Sequence, residues 1–87
     1  MSKKVKMMML DSCPYCKQAF KMMDKLQAQH PEYKNVDIDV IEERKEPEKI
    51  KGYDYWYVPT FFVGEQKILE GVPTMDGVEK VFLEALK

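Results

Sequence analysis

The chain has 87 residues, of which 33% are charged, with 14 Lys and Arg set against 15 Asp and Glu for a net charge of -1. So even a balance carries no basic footprint for nucleic acid and no polybasic membrane signal, and a hydrophobic fraction of 45% supports one thin core, so residues 1–87 read as a single domain. The apolar run Met7-Met8-Met9-Leu10 is too short for a signal-peptide core or a membrane span. A soluble, cytoplasmic monomer is expected, with its function in a local site.

Val5 to Leu10, apolar but for one Lys and closed by Asp11-Ser12, reads as a largely buried first strand. From Pro14 onward, Cys16, Ala19, Phe20, Met23 and Leu26 recur at helical spacing opposite Lys17, Gln18, Lys21, Asp24 and Lys25. Ser12 is the expected N-cap of this helix, and the helix should end by His30, because a residue before proline is pushed out of the helical region. Asn35 to Ile41 alternates, with Val36, Ile38 and Val40 apolar and Asp37 and Asp39 polar, as in an edge strand with one wet face. Glu42 to Lys51 is densely charged, its mixed signs suiting a solvated face; Pro47 can start a short helix with Ile50 as the apolar contact and Gly52 as its stop.

Val58 to Val63 is β-branched and aromatic, Gly64-Glu65 has turn character, and Gln66 to Glu70 can return as the second strand of a hairpin. Thr74 can cap a last helix whose stripe is Val78, Val81, Phe82, Ala85 and Leu86. The order β-α-β-α-β-β-α is that of an α/β fold with a four-stranded mixed sheet. The right-handed crossover rule makes its first two strands parallel neighbours, and helices are expected on both faces.

The chemistry lies at Cys13-Pro14-Tyr15-Cys16, between the first strand and the first helix. A helix N-terminus offers unpaired N–H groups and the positive end of the macrodipole, which favour a thiolate, the reactive form of cysteine. Cys13 is placed to be that thiolate. Pro14 suits the first helical position, where its missing N–H costs nothing. A disulfide closing so small a loop constrains the unfolded chain little, so the pair is read as chemistry rather than as a staple.

Cys13-Pro14-Tyr15-Cys16 after the first strand, together with Tyr57-Val58-Pro59-Thr60 opening the third, resembles the dithiol glutaredoxin branch of the thioredoxin-like superfamily over essentially the whole chain. The resemblance implies a thioredoxin-like fold, a thiol-disulfide oxidoreductase with Cys13 as nucleophile and Cys16 as resolving thiol, and glutathione as co-substrate. It further implies a cis Pro59 facing the cysteines, with the backbone of Val58 pairing with substrate. Leu10, Asp11 and Ser12 stand where that family has a basic residue nearby, and Gly71-Val72-Pro73-Thr74-Met75-Asp76 where it has a Gly-Gly pair. Thr74 with the N–H groups after it, and Lys17, are then the groups left to hold a carboxylate. Tyr15 would lean over the sulfur. Tyr53, Tyr55, Trp56 and Tyr57 crowd the loop before Pro59, where they either line a groove or pack beneath it.

Rival readings have distinct requirements. A zinc centre needs two further ligands, and His30, beside a helix end and Pro31, is the chain's one remaining candidate of soft type; no metal is expected. A thioredoxin-like protein served by a flavin reductase, or a carrier sharing an iron–sulfur cluster between two subunits, would use the same cysteines. Asp37 and Asp39, as proton acceptors for Cys16, would have to leave the polar face that alternation assigns them.

Overall fold

The computed structural model describes residues 3–87. Its elements are β1 (Val5–Met9), α1 (Pro14–Gln29), β2 (Ile38–Glu42), β3 (Thr60–Val63), β4 (Gln66–Glu70) and α2 (Met75–Ala85), with single 3-10 turns at Pro31–Asn35 and Pro47–Ile50. The sheet runs β2-β1-β3-β4, with β1 parallel to β2 and the β3–β4 hairpin antiparallel. This is the thioredoxin-like α/β arrangement. The loop leaving the carboxyl end of the central strand β1 carries Cys13, the position at which open α/β sheets place their ligands. No helix among the described residues is long and apolar enough to cross a membrane.

Alternation along the strands divides the core. Val5, Met7 and Met9 of β1 and Phe61 and Val63 of β3 face one way, where Cys16, Ala19, Met23 and Leu26 of α1 and Val78, Val81, Phe82 and Ala85 of α2 close over them. Met8, Ile41 and Phe62 face the other way, covered by Ile50, Tyr53 and Tyr55. Both α-helices therefore lie on one face. The helix expected on the second face is only the turn Pro47–Ile50, since its single apolar residue, Ile50, offers too little to bury for a longer helix.

Three other expectations change. β2 starts at Ile38 rather than Asn35, and Val40 is 39% exposed while Ile41 is fully buried: Val40 is only partly covered at the sheet's edge, whereas Ile41 lies under the second-face loop. Glu42, read as part of a solvated block, is buried at the end of β2. Ser12 is not the cap of α1; Cys13 occupies that position, and no side chain caps the turn. Thr74 does cap α2, its hydroxyl accepting the Gly77 N–H at 3.0 Å. The hairpin turns at Gly64, whose φ of +60° suits a residue without Cβ.

Candidate active site

α1 begins where Pro14 takes its first position, and Cys13, at φ -85° and ψ 117°, is still extended. The Cys13 N–H donates to the Leu10 carbonyl at 3.1 Å, which turns the chain off β1 and into the helix. With no capping side chain and no acidic residue in the first turn, nothing within α1 neutralises its positive end beside Cys13. Cys13 is partly exposed, and its thiol points at the Val58 carbonyl with Sγ 3.7 Å from the oxygen.

Cys16, one turn further, is fully buried among the core side chains. That burial pushes its thiol well above the ordinary range; a hydrogen bond from the Leu10 backbone offsets part of the rise, while the Cys13 sulfur and the Glu43 charge add to it. Both cysteines are free thiols. One sulfur is thus accessible and the other is held protonated behind it.

The loop before β3 forms the facing wall. The Val58–Pro59 peptide bond is cis and Pro59 is buried. The Pro59 carbonyl accepts the Gly71 N–H at 2.9 Å, and the Thr60 hydroxyl donates to the Tyr57 carbonyl. Glu70, at the end of β4, accepts the backbone N–H groups of Trp56 and Tyr57 at 2.5 and 2.9 Å. Between this wall and α1 runs an open apolar groove of about 300 Å³, lined by Tyr15, Tyr57, Val58, Gly71 and Val72. Tyr57 is 70% and Tyr15 45% exposed, so both rings stand at its rim.

On the other side of Cys13 the chain is strapped by charge. Glu42 accepts the Asp11 N–H at 3.0 Å and the Arg44 N–H at 2.6 Å, which hold its carboxyl below the usual range. Lys45 pairs with Asp11 at 2.8 Å, and the Arg44 guanidinium donates to the Ser12 hydroxyl at 3.2 Å. Residues 11 and 12 are therefore fixed against the end of β2, and Cys13 emerges from a braced loop.

The aromatic loop divides between its two readings: Tyr53 and Tyr55 pack edge-on against Phe62, while Trp56 and Tyr57 face water. Lys17 is exposed on α1, its N–H bonded to the Cys13 carbonyl, and Thr74 is engaged as a helix cap; neither lines the groove. Asp37 pairs with Lys4 at 3.9 Å and stays exposed, so the carboxylate whose charge reaches Cys16 is that of Glu43, which accepts the Tyr55 hydroxyl at 2.5 Å. His30 lies at the far end of α1 between Glu32 and Glu79, 3.5 Å from each. Sequence reasoning did not single out Gly71 and Val72 as groove residues or Glu70 as a brace; a glycine followed by a valine and a proline was the signal available.

Comparison with known proteins agrees with this architecture. No curated protein matches the chain. Among solved structures, one described as a malarial protein superposes over the full length of both chains with a TM-score of 0.70 at 14% identity. The reduced form of desulfothioredoxin from Desulfovibrio vulgaris Hildenborough superposes with a TM-score of 0.66 at 23% identity, covering 95% of this chain and 81% of that one. At such identities the likeness is one of fold. Residues 3–83 match the family model for the thioredoxin domain, and with the sheet order, the cysteine pair and the proline loop in place, the chain belongs to the thioredoxin domain family.

Proposed function

We propose that the protein is a thiol-disulfide oxidoreductase that reduces protein and glutathione mixed disulfides through Cys13 and Cys16, with glutathione as the co-substrate that returns it to the dithiol. The observation that carries this reading is the contrast within one helical turn: Cys13 is open to the groove and Cys16 is fully buried behind it.

In the first step the Cys13 thiolate attacks one sulfur of the substrate disulfide. A Cys13–substrate S–S bond forms, the original S–S bond breaks, and the departing thiolate takes a proton from water. In the second step Cys16 loses its proton and attacks the Cys13 sulfur, closing the internal disulfide and releasing the second thiol. Two electrons have then passed from the dithiol to the substrate. Burial keeps Cys16 protonated, and so a poor nucleophile, until the Cys13 sulfur is presented to it as an electrophile. Substrate backbone in the groove would pair beside Val58, with Tyr15 and Tyr57 as apolar walls and Pro14 and Pro59 shaping the two sides. Lys17 and Thr74 are the groups nearest the start of each helix that would meet a carboxylate of glutathione.

A second reading keeps the chemistry and changes the donor. The groove residues include no charged side chain, which favours an apolar peptide segment over an anionic tripeptide and hence a thioredoxin-type donor, a flavin reductase. Turnover of a glutathione mixed disulfide, coupled to glutathione reductase and NADPH, distinguishes them. Turnover abolished by Cys13→Ser supports the glutathione reading. Turnover only with thioredoxin reductase supports the second, and no exchange with either donor overturns both.

A further inference from the structure

Trp56 and Tyr57 are 85% and 70% exposed, yet both of their backbone N–H groups are held by a side chain. One oxygen of the Glu70 carboxylate accepts both their N–H groups, and its other oxygen accepts the Lys67 ammonium at 2.8 Å. Lys67 also reaches the Asp54 carbonyl at 3.3 Å, so the pair grips the loop at residues 54, 56 and 57. In a regular strand residues three apart lie on opposite faces, and Lys67 and Glu70 could not meet. Here β4 carries a bulge: Phe61 pairs with Leu69 and Phe62 with Lys67, leaving Ile68 unpaired. The extra residue shifts the alternation, so Lys67 opposite Phe62 and Glu70 opposite Thr60 share one face. The bulge thus assembles the brace, and the brace ends one residue before Val58, whose carbonyl meets Cys13.

We infer that Glu70 is a positioning residue for substrate capture: by clasping the Trp56 and Tyr57 amides it holds the Tyr57 ring at the rim of the groove, outward and open beside Cys13. This rests on the oxidoreductase reading of the site. A loop rich in apolar rings would otherwise turn them toward apolar surface, and Tyr57 already borders that of the groove. The partner it serves is a disulfide-bearing peptide segment with apolar residues flanking the cysteine, matched to the apolar lining. Lys67 assists by holding the carboxylate ionised and in place.

The test compares wild type and Glu70→Gln on a glutathione mixed disulfide of a short apolar-flanked peptide, alongside the fluorescence anisotropy of Trp56, the single tryptophan of the chain. A glutamine has one acceptor oxygen and two donors where three donors converge, so at least one backbone N–H or Lys67 loses its partner. The expected result is a KM raised about fivefold or more with kcat within about twofold, lower Trp56 anisotropy, and an unchanged rate of Cys13 alkylation by iodoacetamide. Unchanged KM and anisotropy, or equal falls in kcat and alkylation, would overturn the proposal. If Glu70→Gln does not fold, Glu70→Asp, which keeps the charge but draws the carboxylate back from the two amides by one methylene, is judged by the same criteria. Absence of turnover by wild type with any thiol donor would instead sink the oxidoreductase reading, while the anisotropy still reports on the clasp.

Discussion

At the scale of single residues the site works by contrast between two sulfurs of the same chemistry. Cys16 is pushed above an ordinary thiol by burial, so iodoacetamide at pH 8 should label one thiol of the native reduced protein and both after unfolding; mass spectrometry that found two native adducts at comparable rates would contradict this. Cys16→Ser should leave the first exchange intact and accumulate the Cys13 mixed disulfide, detectable as a covalent adduct. The raised Cys16 group also sets a sign for stability. The unfolded chain ionises near the ordinary 9.0 while the fold keeps the proton, so this contribution is complete below about pH 9 and is lost as pH rises beyond it. Glu70 has the opposite sense. Lys67 and the Trp56 and Tyr57 amides hold it down at about 2, so its contribution is complete above the ordinary 4.5 and is lost as pH falls toward 2. Urea unfolding between pH 6 and pH 3 should therefore show a shallower loss of stability in Glu70→Gln than in wild type.

At the scale of elements, the two α-helices begin in opposite ways, and each start serves its place. α2 is closed by the Thr74 hydroxyl on the Gly77 N–H, so Thr74→Ala should cost about 1 kcal/mol in urea denaturation. α1 has no side-chain cap, so Ser12→Ala should cost less than about 0.5 kcal/mol, the effect of an ordinary surface change. A serine cap on α1 would have placed a hydroxyl on the same N–H groups that favour a Cys13 thiolate. The loop from Tyr53 to Pro59 likewise divides its aromatics by task, two packed on Phe62 and two left in water, of which Tyr57 lines the groove. Gly71, with φ +88° and its N–H on the Pro59 carbonyl, turns the chain sharply enough for Val72 to complete the far wall.

Across the whole molecule the sheet is buried unequally. Phe82, almost fully buried and stacked on Tyr33 with ring centroids 4.8 Å apart, belongs to the two-helix face. Its replacement by Ala should cost about 3–5 kcal/mol, a large share of the about 5–15 kcal/mol that holds a domain folded, read as a lower urea midpoint. Phe62→Ala acts on the thinner face, where Met8 and Ile41 are its buried companions among the described residues. Its main signature should be faster amide hydrogen exchange across residues 50–57 while the two-helix face stays protected. Uniform loss of protection on both faces would show that the second cluster is no separate unit.

The strands, the amphipathic helices, the Thr74 cap and the cysteine pair were all legible in the order of residues, because periodicity, capping chemistry and a four-residue motif are local properties. So was the position of Cys13 beyond a central strand, since chain order and crossover handedness leave few topologies. Three things were decided only by tertiary packing. Both α-helices share one face because Glu42 to Lys51 has too few apolar residues to build another. Glu42 is buried because the loop ahead of Cys13 brings it the Asp11 amide and the turn after β2 brings it Arg44, a meeting that no charge pattern reveals. The groove wall rests on a bulge at Ile68, which reverses the alternation and lets Lys67 and Glu70 meet. A bulge depends on how two strands pair, so it exists only once the sheet has formed.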